Sequence, residues 1–207
     1  MPGPLDRKSR DRARTETSIL AAAREVLAAS GFQGLGINAV ARRAGCDKQL
    51  IYRYFGGLDG LVDAIGLGLA DWLEDRLGDT GEPLPTTYAE LTERMVLGFL
   101  DALIADRLVQ RIAAWEIADA SPLVTRLTAA RSAALIRWVA RERGNLNPPP
   151  GRDAAAINAV LIGAVQQLAL SGAVAGEFSG LALRTEADWV RVRAALITIV
   201  RAVYVVA

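Results

Sequence analysis

Lys48, Gln49, Tyr52 and Arg53 are side chains of the types that recognise DNA, and all lie within the run KQLIYRYF. If this run is helical, residues at these spacings share one face. Lysine can donate to O6 and N7 of guanine, and glutamine can pair with N6 and N7 of adenine. Tyrosine can hold a phosphate through its hydroxyl, and arginine can contact a base or a phosphate. The chemistry indicated is therefore the binding of double-stranded DNA rather than a reaction.

Two short helices joined by a turn are predicted to position these side chains. Gly45 suits the left-handed conformation that commonly ends a helix, and Asp47 can cap the next helix by accepting free backbone N–H groups. Helical spacing turns the apolar residues inward and leaves the four polar ones outward. Two helices of about eight residues around a glycine-containing turn match a helix-turn-helix unit. The inward residues are Ile37, Val40, Ala41, Ala44, Ile51, Tyr54 and Phe55.

The run ARRAGCDKQLIYRYFGG closely resembles the DNA-binding domain of the TetR family of transcriptional regulators. The resemblance covers about residues 15–65, and the Ala-x-x-Ala-Gly turn and the Tyr-x-Tyr-Phe ending occur together at the family spacing. It implies that Tyr52 holds a phosphate and that Asn38 contacts a base or a phosphate. Leu50 stands where the family often has threonine, so it would offer a methyl contact.

Two positions depart from the family pattern. Leu58 stands where the family usually has a phosphate-binding lysine, and near Gly36 the family usually has a threonine. Both departures remove phosphate contacts. The basic N-terminal segment is the natural candidate to replace them.

The first part of the chain is basic and the remainder is acidic. Residues 1–56 hold ten Lys and Arg against five Asp and Glu, a net charge of +5, and residues 57–207 carry −4. This asymmetry is expected when only one part meets phosphate, although a fluctuation of solvated charge would look the same. Residues 1–14 show no apolar periodicity. This segment is predicted to be a flexible basic arm that contacts phosphates or the minor groove, and the alternative is a terminus without a role. The cations of the arm are Arg7, Lys8, Arg10, Arg12 and Arg14.

Apolar residues recur at three- and four-residue spacing through most of the chain, which predicts an all-α protein of about nine helices without strands. We place a three-helix DNA-binding domain, containing the helix-turn-helix, at residues 1–56. Following the resemblance, we place a helical effector-binding and dimerisation domain at residues 57–207. The predicted helices outside the helix-turn-helix span 15–30, 58–77, 86–105, 108–118, 122–143, 154–176 and 185–206.

Large apolar side chains on several helices of the second domain can converge. The simplest interpretation is ordinary core, and the functional one is an apolar cavity in which a few polar groups orient a ligand. The family typically binds a small molecule in this domain, so the resemblance favours a small, neutral, largely apolar effector. The candidate effector-binding residues are Trp72, Met95, Phe99, Trp115, Glu116, Trp138 and Gln166.

Residues 154–176 carry no charge and are long enough to span a bilayer. Their polar residues and their many small residues argue against a membrane span and favour a close helix-to-helix seam, with Ala155, Ala159, Gly163 and Ala164 on it. Residues 185–206 follow with a second apolar stripe, at Trp189, Val192, Leu196, Ile199 and Val203. The resemblance implies that these two helices form a four-helix bundle in a homodimer.

Composition excludes several classes of enzyme. The chain has no histidine and one cysteine, Cys46, so Ser–His and Cys–His nucleophile pairs, histidine-containing metal sites and a disulfide framework are absent. We interpret Cys46 as a small buried apolar residue in a protein of the reducing cytoplasm. The loose glycine pattern at Gly34 and Gly36 follows a helix rather than a strand, so no nucleotide site is expected. No catalytic residue, metal or cofactor is predicted.

The sequence therefore predicts a cytoplasmic, ligand-responsive regulator, more specifically a repressor, that binds a palindromic DNA operator as a homodimer. The alternative is a helical small-molecule-binding protein or an enzyme that does not act on DNA.

Overall fold

The computed structural model describes residues 4–78 and 83–205, with the backbone alone for residues 4–10. The described chain is mostly helical, which confirms the all-α prediction. Nine helices lie within these ranges: α1 Pro4–Gly34, α2 Ile37–Ala44, α3 Lys48–Phe55, α4 Leu58–Gly78, α5 Tyr88–Ala105, α6 Arg107–Ala118, α7 Pro122–Arg143, α8 Ala154–Val174 and α9 Glu186–Tyr204.

A short antiparallel hairpin between α8 and α9 contradicts the expectation of no strand. β1, Glu177–Phe178, pairs with β2, Leu181–Ala182. The two residues between them, Ser179 and Gly180, both have positive φ, which is the geometry of the tight turns that match the twist of a hairpin. Strands of two residues are too short to show an alternating pattern in the sequence.

Helix α1 begins earlier than predicted. Its backbone is helical from Pro4, so residues 4–14 of the predicted arm continue the first helix, although the flexibility of that segment stays a prediction. Met1–Gly3 lie outside the described residues, as do the side chains of Arg7, Lys8 and Arg10. Gly31, where the sequence placed the helix end, interrupts α1 with φ 65° and ψ −170°.

The first compact unit comprises Met1–Ala70 and Arg111–Ala134. It contains the helix-turn-helix together with the first part of α4 and parts of α6 and α7, so it extends beyond the predicted division at residue 56. Fully buried aliphatic side chains from these helices form its core. They include Ile19, Leu27, Val40, Ile51, Leu61, Ile65, Ile112 and Leu127.

Helices α4 and α7 pack closely within this first unit. A Cβ atom added at Gly66 would lie 2.7 Å from the carbonyl oxygen of Leu127, which shows that this glycine permits the close approach. Arg126 reaches across from α7 to the carboxylates of Asp59 at 3.4 Å and Asp63 at 2.5 Å. The small size of Gly66 and the ion pairs of Arg126 together hold α7 against α4.

The second compact unit comprises Asp71–Gln110 and Leu135–Ala207. Helix α5 packs against α8 and α9, and their buried residues form its main core. On α9 the buried face is shifted from the predicted one, because Val200 and Tyr204 are buried while Ile199 is 48% exposed.

Helix α8 carries an exposed apolar surface. Among the described residues, it is the one helix that is long and apolar enough to cross a bilayer, a property of its length and composition alone. Only 17% of its most apolar window is buried, and Val160 and Val174 are 71% and 90% exposed. The second unit therefore leaves much of α8 without cover.

Candidate nucleic-acid interface and ligand cavity

The turn between α2 and α3 has the geometry predicted from its residues. Gly45 is left-handed, with φ 64° and ψ 33°, and the N–H of Cys46 donates to the carbonyl of Ala41 at 3.0 Å. Asp47 caps α3, since its carboxylate accepts a hydrogen bond of 2.8 Å from the backbone N–H of Gln49. Fully buried Ile51 anchors α3 on the core of the unit. These contacts hold a short helix that would be marginal by itself.

The outer face of α3 is polar and open to solvent. Lys48, Gln49, Tyr52 and Arg53 are all exposed, and Tyr52 retains 56% of its accessible surface. The structure thus brings the four candidate contacts onto one accessible face. Leu50 beside them is half-buried.

Asn38 is exposed on α2, the helix that precedes the turn. Tyr54 and Phe55, predicted to face inward, are only half-buried. The ring of Tyr54 is covered by the guanidinium groups of Arg12 and Arg53, at 5.5 and 5.6 Å from its centroid.

Further cations lie on the same unit. Arg42, at the last turn of α2, is exposed and forms no ion pair with any described residue. Its neighbour Arg43 pairs with Glu25 at 2.5 Å. Arg42 is not among the contacts predicted from the sequence, although two adjacent arginines before the turn are a visible signal for phosphate binding.

Cys46 is half-buried rather than buried. Partial burial, and then the negative charge of Asp47, raise the pKa of its thiol. The thiol is therefore held in its protonated, less reactive form at neutral pH.

The second unit contains a cavity of about 180 Å³. Its lining is mostly aliphatic and aromatic and comes from α4, α5, α7 and α8. Of the candidate effector residues, the structure brings Met95, Phe99 and Trp138 together in its wall. The remaining lining residues are Leu73, Leu77, Tyr88, Leu91, Thr92, Val96, Leu135, Val139, Arg143, Asn158 and Ile162.

A hydrogen-bonded network occupies most of the polar groups in the cavity wall. Asn158 donates from Nδ2 to the hydroxyl of Tyr88 at 2.9 Å, and its Oδ1 accepts from the hydroxyl of Tyr204 at 2.9 Å. The hydroxyl of Thr92 donates to the carbonyl of Tyr88 at 2.8 Å. Burial, with smaller effects of Tyr88 and Asp153, raises the pKa of Tyr204 to about 12, so its hydroxyl remains a neutral donor at physiological pH.

The structure places the other four predicted effector residues elsewhere. Trp115 and Glu116 belong to the first unit, where the Trp115 indole lies against Gly31 and Glu116 pairs with Arg131.

Trp72 and Gln166 belong to the second unit but do not line the cavity. The Trp72 ring packs beneath the guanidinium of Arg76, 5.2 Å from the ring centroid, and Gln166 is half-buried on α8. Helical spacing predicts which face of each helix points inward. It does not predict which inward residues of different helices contact one another. Tyr88, Arg143 and Asn158 were missed for the same reason.

Within the described ranges, no group of three or more cysteine, aspartate or glutamate side chains is arranged to hold a metal ion.

Residues 19–65 match the family model described as bacterial regulatory proteins, tetR family. This match covers the helix-turn-helix and the beginning of α4. By this match, residues 19–65 belong to the TetR family of bacterial regulatory proteins.

One curated relative and several solved structures are also similar to the chain. The chain is 29% identical over 150 residues to the HTH-type transcriptional regulator AlkX of Mycobacterium tuberculosis, across 66% of this chain and 69% of that protein. Its fold is similar to that of Salmonella enterica GusR, with a TM-score of 0.65, 18% identity and coverage of 92% and 95% of the two chains. It is also similar to Bacillus subtilis FadR in complex with stearoyl-CoA, with a TM-score of 0.63, 14% identity and coverage of 89% and 96%.

Proposed function

We propose that this TetR-family regulator is a ligand-responsive repressor that binds a palindromic operator as a homodimer. The observation that carries the proposal is the outer face of α3, where Lys48, Gln49, Tyr52 and Arg53 are all exposed on a capped helix anchored by buried Ile51. Such a helix can enter the major groove of DNA.

The contacts divide into base readout and phosphate binding. Lys48 and Gln49 at the start of α3 read guanine and adenine edges. Tyr52 and Arg53 hold the backbone, Asn38 adds a contact from α2, and Leu50 offers a methyl group. Exposed Arg42 supplies a further phosphate contact.

We infer a homodimer from the uncovered faces of α8 and α9. The small residues proposed for the seam, Ala155, Ala159, Gly163 and Ala164, are all exposed on α8, and a Cβ at Gly163 would meet nothing within 4 Å. Ile199 and Val190 on α9 are 48% and 55% exposed. Two copies packed through these helices would bury apolar surface and present two α3 helices about 34–36 Å apart, one turn of DNA.

The cavity of the second unit is the proposed effector site. It is comparable in size to an engineered apolar cavity of about 150 Å³ that binds benzene. The structure of Bacillus subtilis FadR, which has a similar fold, holds stearoyl-CoA. The size and the mainly apolar lining of the cavity support a small, largely apolar effector.

Helix α4 is the proposed link between effector and operator. It is continuous from Leu58 to Gly78, with residues up to Ala70 in the first unit and those from Asp71 in the second. Leu73 and Leu77, near its end, line the cavity. An effector changes DNA affinity to the extent that it prefers one arrangement of α4 over another.

We further propose that the protein acts in the cytoplasm and catalyses no reaction. The competing function is a helical small-molecule-binding protein or an enzyme that does not act on DNA.

Fluorescence anisotropy with DNA from upstream of the protein's own gene, across a range of salt concentrations, separates these functions. We expect tighter binding to that DNA than to a scrambled duplex, with affinity falling steeply as salt rises because phosphate contacts release counterions. Equal affinity for both duplexes at every salt concentration would contradict the proposal.

A further inference from the structure

The part of the cavity lining that the structure describes contains a positive charge but no negative charge. Arg143, at the end of α7, is the one charged residue among those that line it, and no carboxylate lies in the described lining. The remainder is apolar apart from Tyr88, Thr92 and Asn158.

These three polar residues are already engaged. Both polar atoms of the Asn158 amide are hydrogen-bonded, to Tyr88 and to Tyr204, and the hydroxyl of Thr92 donates to a backbone carbonyl. The Asn158 network ties α5, α8 and α9 together, so reorienting it toward a ligand would break contacts within the unit.

Arg143 is different because nothing described in the structure neutralises it. It is exposed and forms no ion pair with any described residue, whereas Arg141 on the same helix pairs with Glu74 at 2.5 Å. A guanidinium presents paired N–H donors that match a carboxylate.

We infer that the effector is an amphipathic anion, whose apolar body fills the cavity and whose carboxylate pairs with Arg143. This deepens the proposed effector site and depends on it, and it replaces the neutral ligand expected from the sequence. An apolar cation is disfavoured because the one charge it would meet in the lining is positive.

The size of the cavity limits the apolar body. A volume of about 180 Å³ suits one aromatic ring or a short alkyl chain, with the head group at the exposed guanidinium. Octanoate, octanol and octyltrimethylammonium are suitable probes because they share an alkyl chain and differ in the charge of the head.

The test is calorimetric titration of the full chain with each probe at low salt, repeated for Arg143→Met, Arg143→Lys and Arg137→Met. Met keeps an apolar stem without the charge, and Lys keeps the charge. Arg137 is the matched control, because it is exposed on the same helix and does not line the cavity.

We expect octanoate to bind roughly fivefold more tightly than octanol, the upper end for an exposed ion pair. Arg143→Met should remove this preference. Arg143→Lys should retain most of the preference, and Arg137→Met should retain all of it. Raising the salt concentration should weaken octanoate binding alone.

The inference is overturned if the wild-type protein binds octanoate and octanol equally well, or if it binds octyltrimethylammonium most tightly. Either result would leave the proposed effector cavity in place. An octanoate preference that survives in Arg143→Met would also overturn the inference. Failure of all three probes to bind would contradict the effector cavity itself, and this inference with it.

Discussion

The carboxylate of Asp47 accepts a hydrogen bond of 2.8 Å from the backbone N–H of Gln49. Gln49 is one of the two residues whose side chains are proposed to read bases. The residue that caps α3 therefore also fixes the backbone from which the readout residues project. Stability of the helix and recognition of DNA are coupled at this contact.

Asp47→Ala should lower the free energy of unfolding by about 1 kcal/mol, because it removes an N-cap from a helix of two turns. It should also weaken DNA binding, because α3 is then ordered for less of the time. Asp47→Asn keeps a capping oxygen and should stay close to wild type. Urea denaturation and anisotropy check both effects, and equal destabilisation by Ala and Asn would contradict the role of the cap.

Gly66→Ala should destabilise the first unit although alanine is the better helix former. The added methyl would lie 2.7 Å from the carbonyl oxygen of Leu127 and 3.1 Å from the Cβ of Ala130, so α4 and α7 must separate. Overpacking of this kind costs about 1–3 kcal/mol, which exceeds the gain in helix propensity of about 1 kcal/mol.

Gly78→Ala is the control for this clash, since a Cβ at the end of α4 meets nothing within 4 Å. Thermal unfolding of both variants is the measurement. A stabilised Gly66→Ala protein would show that α4 and α7 do not pack this closely.

The buried hydroxyl of Tyr204 should make stability depend on pH in the alkaline range. Its pKa is raised from 10 to about 12 in the folded state, so the folded protein retains the proton longer than the unfolded chain. This contribution to stability is complete below pH 10 and is lost as pH rises toward 12, by roughly 2–3 kcal/mol in all.

Tyr204→Phe should remove that part of the alkaline loss. It should also destabilise the protein at neutral pH, because Oδ1 of Asn158 loses its donor. Urea denaturation at a series of pH values gives the comparison. If the free energy of unfolding falls with alkaline pH equally for wild type and Tyr204→Phe, the Tyr204 hydroxyl does not cause the loss of stability.

Gly163→Arg should convert the proposed dimer to a monomer. The position faces open space in the single chain, so the substitution leaves the fold intact while placing a charge in the proposed seam of α8. Sedimentation velocity should show the mass of one chain, and operator affinity should fall because two half-sites are no longer held together.

Ala140→Arg provides the matched control, since Ala140 is exposed on α7 outside the proposed interface. It should remain dimeric. A Gly163→Arg protein that still sediments as a dimer would place the interface elsewhere.

Local chemistry explains which parts of the fold could be predicted from the sequence. Gly45 and Asp47 mark the end of α2 and the start of α3 by their own conformational and capping preferences, and the structure has both features as predicted. Pro122 similarly marks the first residue of α7.

The cavity required information that helical periodicity does not hold. Met95, Phe99, Trp115 and Trp138 all carry large apolar side chains, yet three line the cavity while Trp115 lies against Gly31 in the other unit. Which helices meet depends on long-range packing. Arg143 was missed because an arginine in the last turn of a helix is expected on electrostatic grounds alone.

Lys48 and Gln49 on α3 are proposed to read base edges. The decisive measurement is the affinity of Lys48→Ala and Gln49→Ala for a set of operators with single base-pair changes. Each variant should lose about 1–3 kcal/mol of binding free energy on the native operator and become indifferent to base changes at one or two positions. Arg42→Ala, a loss of a phosphate contact, should weaken binding to every operator equally. If Lys48→Ala and Gln49→Ala also weaken binding to all operators equally, α3 does not read the base sequence through these side chains.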